Sequence, residues 1–350
     1  MITGPRRIKD TGCSLFCAAV SVVSMVDQMI QIDLITGFLG SGKTTFLHGY
    51  AGYLMDRGLK IGIIENDFGA VNVDMMLLQD LEGEQCEREM VAGGADLDTY
   101  RRRFRTKLIS MGMRGFDRVL IEPSGIFDAE EFFDALCEEP LNCWYEIGSV
   151  IAVVDAGLPR ELSRESEYLL VSQLADAGCV VLSRTQLCER ETAARTVDYL
   201  NEVMERFACG RRFSLEAGKE GAEPVIAADW ASFSPEDYRR METSGYQLAD
   251  HIRVPVGKDE GFQSLYYLQR PFTSDEISKA VRMLFEDRSC GSIFRIKGFA
   301  REKEQWLEIN AVRDGGTEMK AVREGQQVVI VIGEKLNREK INRYMGQEAV

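Results

Sequence analysis

Histidine is nearly missing from this chain: its 350 residues include two, His48 and His251, and neither has another His or a Cys at ligand spacing. The nine cysteines contain no C-x-x-C or C-x-C pair. No soft-metal site is readable from such spacing, and an odd, scattered set of thiols suits reduced cysteines in a cytoplasmic protein rather than a disulfide framework. Basic charge is also in deficit. Lys and Arg number 42 against 56 Asp and Glu, a net charge of −14, which argues against nucleic acid and anionic membrane as partners because both select basic surfaces. Repeats and low-complexity tracts are absent. With 45% hydrophobic and 28% charged residues, the composition is that of a globular protein long enough for two domains.

What is present is organised around Ile32–Thr45, IDLITGFLGSGKTT. The core GFLGSGKT fits G-x-x-x-x-G-K-[ST], and Ile32, Leu34 and Ile35 supply the preceding strand. Gly37, Gly40 and Gly42 lack Cβ atoms, so the backbone N–H groups from Gly40 through Ser41 to Thr44 and Thr45 can turn inward around a phosphate at a helix N-terminus. Lys43 is expected to reach the β- and γ-phosphates, with the Thr44 hydroxyl as a Mg²⁺ ligand. A nucleotide site also decides how the first residues are read. Pro5-Arg6-Arg7-Ile8-Lys9 followed by apolar Cys13–Val26 has the order of a signal peptide and is short for a membrane span. Secretion would part the phosphate loop from its nucleotide, so residues 1–28 are expected to be an extension outside the fold.

Further along, a helix over Thr44–Met55 and a buried strand over Lys60–Ile64 lead into Glu65-Asn66-Asp67-Phe68-Gly69, which places the Asp67 carboxylate at the carboxyl edge of a sheet. Glu82–Glu89 reads as an acidic loop. Asp96–Met111 reads as a helix whose Arg101, Arg102, Arg103 and Arg105 form a solvated face. The strand Asp117–Ile121 ends in Glu122-Pro123-Ser124-Gly125, the acid-then-glycine turn of a Walker-B and switch element. Glu122 would hold Mg²⁺ or its water, and the Gly125 N–H would approach the γ-phosphate. Strands over Ser149–Val154 and Cys179–Leu182 alternate with helices, which predicts an α/β, doubly wound, mainly parallel sheet over residues 29–208. Residues 209–249, with few apolar runs, read as a linker. Residues 250–346 read as a smaller α+β domain with strands at HIRVPV, SLYYLQ, Ser292–Ala300, Trp306–Val312 and Gln327–Ile332. Its helices are Thr273–Phe285, capped by Thr273 and Glu276, and Asn337–Tyr344.

The order GFLGSGKTT, NDFG (Asn66–Gly69), EPSG (Glu122–Gly125) and AVVDA (Ala152–Ala156), followed by FQSLYYLQRPF, IFRIKGFA and VVIVIGEKLN, resembles the CobW family of P-loop GTPases, relatives of HypB and UreG. The resemblance runs from about Met29 to Tyr344. It implies slow Mg²⁺-dependent hydrolysis of GTP, with Lys43, Asp67, Glu122 and Gly125 as the catalytic set and Thr44, Asp67 and Glu122 around the metal. It also implies a client metalloprotein or cofactor-assembly protein as partner; a homodimer is an open option.

Three departures from the family pattern stand out. Asp67 is a shorter acid than the usual Glu. Where the family carries C-x-C-C, this chain has Gly93-Gly94-Ala95-Asp96-Leu97-Asp98, and Asp96 and Asp98 suit helix capping better than metal ligation. Where N-K-x-D reads guanine, Ser183-Arg184-Thr185-Gln186 stands instead. Arg184 can stack on a purine, but Gln186 cannot offer a paired carboxylate, so guanine preference is expected to weaken and ATP becomes admissible. Two functions follow: a nucleotide-switched accessory protein or metal chaperone, or a nucleotide-sensing module for a corrinoid or redox protein that carries no metal itself. A small-molecule kinase is disfavoured by the C-terminal resemblance.

Overall fold

The structure is a computed structural model. It describes residues 29–349 apart from 39, 68–73, 93–96, 124–128, 161, 255–261, 269–270, 314–315, 323–324 and 326; no side chain is described at 66, 67, 97 or 98. The N-terminal extension, Gly125 and Asp96 lie outside the described residues, as does the side chain of Asp67.

The first domain is built on six strands: β1 Ile30–Thr36, β2 Ile61–Asp67, β3 Cys86–Ala92, β4 Arg118–Glu122, β5 Tyr145–Asp155 and β6 Cys179–Ser183. All pair in parallel, in the order β3-β2-β4-β1-β5-β6. The helices are α1 Lys43–Asp56, α2 Leu97–Gly112, α3 Ala129–Leu136, α4 Leu141–Trp144, α5 Arg164–Ala175 and α6 Arg190–Arg206. The central strands are apolar on both faces because helices cover both: Ile32 and Leu34 of β1 point into one core, Ile35 into the other. The doubly wound parallel sheet is thus as the sequence predicts. β1 lies between β4 and β5, where successive crossovers leave in opposite directions, and the carboxyl edge at such a switch point is where open α/β sheets bind ligands.

β3 was expected as an acidic loop. It forms because an edge strand can carry charge on one face: Glu89 is bonded by Lys107 at 2.6 Å and Arg114 at 2.8 Å, and Glu87 by Arg114 at 2.9 Å, while Cys86 and Val91 are buried.

Residues 209–249 are not a free linker. The short strands β7 Phe213–Ser214 and β8 Glu223–Pro224 pair in parallel, and Ile226 then bridges Val181 of β6, extending the main sheet by one step. α7 Pro235–Glu242 follows, started by a capping box between Ser234 and Asp237, and its Tyr238 stacks on Tyr50 and Tyr53 of α1. The segment reads as a linker because its apolar residues form no long run and no helical or strand period: Val225 packs in one core, and Ile226, Trp230, Phe233, Tyr238 and Met241 in the other.

The second domain is a sheet ordered β12-β11-β10-β13-β9, with β9 Phe262–Tyr267, β10 Ser292–Glu302, β11 Gln305–Val312, β12 Gly316–Val322 and β13 Val329–Glu334, antiparallel throughout. α8 Ser274–Glu286 starts at the Thr273–Glu276 capping box foreseen for it, and α9 is Arg338–Met345. β12 was not expected, being an edge strand whose side chains are mostly exposed. His251–Val254, expected as a strand, forms none; Ile252 instead hydrogen-bonds back to the Phe207 carbonyl at 2.8 Å.

Candidate functional site

β1 delivers the phosphate loop to the carboxyl edge of the sheet. Gly37 turns there with φ 145°, and a Cβ on it would lie 2.1 Å from the Val153 carbonyl oxygen of β5, so no other residue fits. Gly42 caps α1 in the left-handed region without a side-chain cap, leaving the first N–H groups of the helix to face the loop. Lys43 and Thr44 are buried. Lys43 Nζ lies 3.5 Å from the Phe38 carbonyl across the loop. Among the described residues, the buried hydroxyls of Ser41 and Thr36 have no hydrogen-bond partner, a sign that the cradle is shaped for a polar group outside the chain.

Thr44 Oγ1 donates to Glu122 Oε1 at 2.8 Å. The sequence separates these two groups by most of the first half of the domain; β1 and β4, being neighbours, bring their carboxyl ends together. A hydroxyl and a carboxylate at the floor of a phosphate loop are hard oxygen donors of the kind Mg²⁺ takes, so the residues present fit that ion.

Ser183 closes β6. Arg184 follows in the left-handed region at φ 55°, donates from Nη1 to the Gly40 carbonyl at 2.9 Å and forms an ion pair with Asp155. Its guanidinium is thereby engaged with the phosphate loop and β5. Gln186 is exposed on the next turn. Trp230 was not foreseen. Its indole N–H donates to the Leu182 carbonyl at 2.9 Å, its ring meets Phe46 edge-on, and it lies 3.4 Å from where a Cβ on Gly42 would be, beside Ser183. A lone Trp in a stretch without regular apolar spacing carries no periodicity to mark it.

The second domain closes over the loop's outer side. Phe294 meets Phe38 edge-on with centroids 5.8 Å apart, and Glu334 accepts hydrogen bonds from Ser163 and Ser166 at the start of α5. Between the domains lies a cavity of about 320 Å³ lined by Gly40, Asp155, Arg184, Arg288, Phe294 and Arg313, among others. Among the described residues no group of three or more His, Cys, Asp or Glu is arranged to hold a metal, and no helix is long and apolar enough to cross a membrane.

A phosphate loop at a parallel-sheet switch point, with a Thr–Glu pair beneath it, defines a P-loop nucleotide-binding domain. Residues 31–211 match the CobW/HypB/UreG nucleotide-binding domain, and the chain belongs to that family. It is similar to the zinc chaperone YeiR of Escherichia coli strain K12, 31% identical over 307 residues that span 82% of this chain and 87% of that protein. It is also similar to the zinc chaperone YjiA of the same organism, 31% identical over 168 residues, 45% of this chain and half of that one. Among solved structures, the Zn(II)-bound YjiA GTPase from E. coli aligns with 91% of this chain and 98% of its own at 18% identity and a TM-score of 0.35.

Proposed function

We propose that this protein binds and slowly hydrolyses GTP in a Mg²⁺-dependent way, and that the hydrolysis switches how it engages a client metalloprotein or a cofactor-assembly protein. The observation that supports this most is the phosphate loop Gly37–Thr44 with Thr44 bonded to Glu122 at its base. In this reading the N–H groups from Gly40 to Thr45 hold the phosphates, Lys43 neutralises the β- and γ-oxygens, and Thr44 and Glu122, with Asp67, hold the metal. Bound Mg²⁺ would screen the charge that grows on the transferring phosphoryl group. Glu122, Asp67 and the Gly125 N–H would orient the attacking water. Ser183, Arg184 and Gln186, with Trp230 beside them, would form the base pocket.

The relatives are named zinc chaperones, yet residues 93–98 of this chain supply no cysteine. That absence favours a second reading, in which the nucleotide switch is kept while the protein carries no metal and senses a corrinoid or redox protein. Two measurements separate the cases. Lys43→Ala should abolish calorimetric binding of GTP with Mg²⁺ in a protein that stays folded; unchanged affinity would refute the site. Metal analysis of tag-free protein, with and without GTP, then divides the readings: stoichiometric zinc or another transition metal supports the chaperone, and its absence supports the sensor.

A further inference from the structure

The cavity of about 320 Å³ between the domains is charged against the sign of the chain. Three arginines line it, Arg184, Arg288 and Arg313, against one carboxylate among the described residues, Asp155, in a protein of net charge −14. That carboxylate is already taken, by Arg184 Nη1 and by the Gly157 N–H at 2.8 Å. The arginines keep donors to spare. Among the described residues, Nε and Nη2 of Arg184 have no hydrogen-bond partner, Arg313 has only the Ile293 carbonyl, 3.4 Å from its Nε, and the Arg288 side chain has none. Much of the remaining wall is apolar, with Phe38 and Leu158 from the first domain and Ile293, Phe294 and Val312 from the second. The volume stands at the small end of ligand pockets, and apolar walls with a few convergent polar groups are their usual chemistry. Ser183, Gln186 and Trp230 of the proposed base pocket do not line it, nor do Lys43, Thr44 and Glu122.

We propose that this cavity is an effector site for a small organic anion, an apolar body with a single carboxylate or phosphate head, and that its occupation tightens nucleotide binding at the phosphate loop. The binding stands on the cavity alone; the tightening rests on the nucleotide reading above. The head meets Arg313 and the unused edge of Arg184, because a guanidinium offers five donors and takes carboxylate or phosphate as a fork. A charged acceptor holds such donors more strongly than a carbonyl does. The body lies against the apolar wall around Phe38 and Phe294. Coupling follows from what that wall is made of. Phe38 and Gly40 belong to the phosphate loop; the Phe38 carbonyl lies 3.5 Å from Lys43 Nζ, and the Gly40 carbonyl accepts from Arg184. An occupant that joins Arg184 to Arg313 of the second domain steadies both carbonyls, so nucleotide has less of the loop left to order.

The test is calorimetry on the full chain, with phenyl phosphate and phenylacetate as probes, in the presence and absence of GDP with Mg²⁺. At least one probe should saturate a single site per chain, the tighter of the two naming the head group. Inorganic phosphate and benzyl alcohol, which are head and body apart, should each bind at least about tenfold more weakly. Probe and GDP should tighten one another by the same factor, about fivefold or more, since coupling is reciprocal. Arg313→Gln should weaken the probe by at least about tenfold, the loss expected for a hydrogen bond to a charged group, and leave GDP affinity measured without probe within about twofold. Arg282→Gln, which removes the same charge from an exposed position of α8 outside the cavity, should keep probe affinity within about twofold. Failure of both probes to saturate would overturn the proposal. So would an equal loss in Arg282→Gln, which would mean attraction by net charge, or displacement of the probe by GDP, which would put it on the phosphate loop. Probe binding that needs Arg313 yet leaves GDP affinity unchanged would overturn the effector role. A chain that takes the probe but binds no GDP would overturn the nucleotide reading instead and leave the cavity as an anion site.

Discussion

Thr44 and Glu122 meet at 2.8 Å across the seam between β1 and β4. The pair joins the phosphate loop to the end of β4, so in the proposed reading a change at Glu122 would act on the metal's surroundings and leave the loop's N–H groups where they are. Glu122→Gln keeps the size and one acceptor and removes the charge. Turnover should fall by about tenfold to a hundredfold, the range for groups that orient a metal and its ligands, with a raised Mg²⁺ requirement and little change in nucleotide affinity. Equal losses in affinity and turnover would assign Glu122 to the scaffold instead.

Beneath the site, Arg118 Nη1 lies 2.6 Å from Asp33 Oδ2, and the same carboxylate accepts from Tyr50 at 2.8 Å and from the Ser149 N–H at 2.7 Å. Asp33 is fully buried. Burial pushes its carboxyl above the ordinary range, and Arg118 is the largest opposing influence. Arg118→Met should destabilise the fold by about 3–5 kcal/mol, because it strands a buried charge.

The pH dependence of that loss has a definite sign. With Arg118 gone the Asp33 carboxyl should rise further. Between its unfolded and folded values the native state then holds the extra proton, so stability increases as pH falls through that window. The deficit of Arg118→Met, followed by urea midpoints, should therefore be smaller at acid pH than at neutral pH, and Asp33→Asn should recover part of it. A deficit independent of pH would show that the carboxylate is compensated some other way.

The thiols should react according to their surroundings. Burial raises Cys86, Cys179 and Cys290 to about 11, whereas Cys137 and Cys143 are exposed. Site-resolved alkylation at pH 8 should label the exposed pair faster than the three raised thiols by more than about tenfold, the gap narrowing as pH rises toward 11. Rapid labelling of Cys179 at pH 8 would reveal an opening of the sheet at the start of β6.

The phosphate loop was legible in the sequence because its glycines and Lys answer one chemical demand at fixed spacing. Glu122 was legible because an acid ending an apolar strand has few other reasons to exist. What stayed hidden depends on distance along the chain. β3 and β12 are edge strands whose charged faces imitate loops. Trp230 and Tyr238 are single apolar residues whose partners lie in α1 and β6. Arg295 sits in β10, and only the docking of that strand brings its stem to Gly40 of the phosphate loop.

In the proposed reading, base recognition falls to the turn after β6. Ser183, Arg184 and Gln186 occupy the turn after β6, and the Arg184 guanidinium is engaged with Gly40 and Asp155. No paired carboxylate stands at 186 to meet the N1–H and N2–H₂ of guanine. A bidentate pair of that kind is worth ~1–3 kcal/mol, or about tenfold to a hundredfold in affinity. GTP should thus be preferred over ATP by a modest margin, and Gln186→Asp should widen it, although one restored residue recovers only part of a motif. Competition among GTP, ATP and ITP for the unaltered and substituted chains measures this, since ITP lacks the N2 amine. If the unaltered chain already separates GTP from ITP strongly, another carboxylate reads the base. Asp229, exposed next to Trp230 and turned toward the Ala231 N–H at 3.1 Å, would be the first to replace. Loss of discrimination in Asp229→Ala would then move the base-reading role from the turn after β6 to the segment that packs against it.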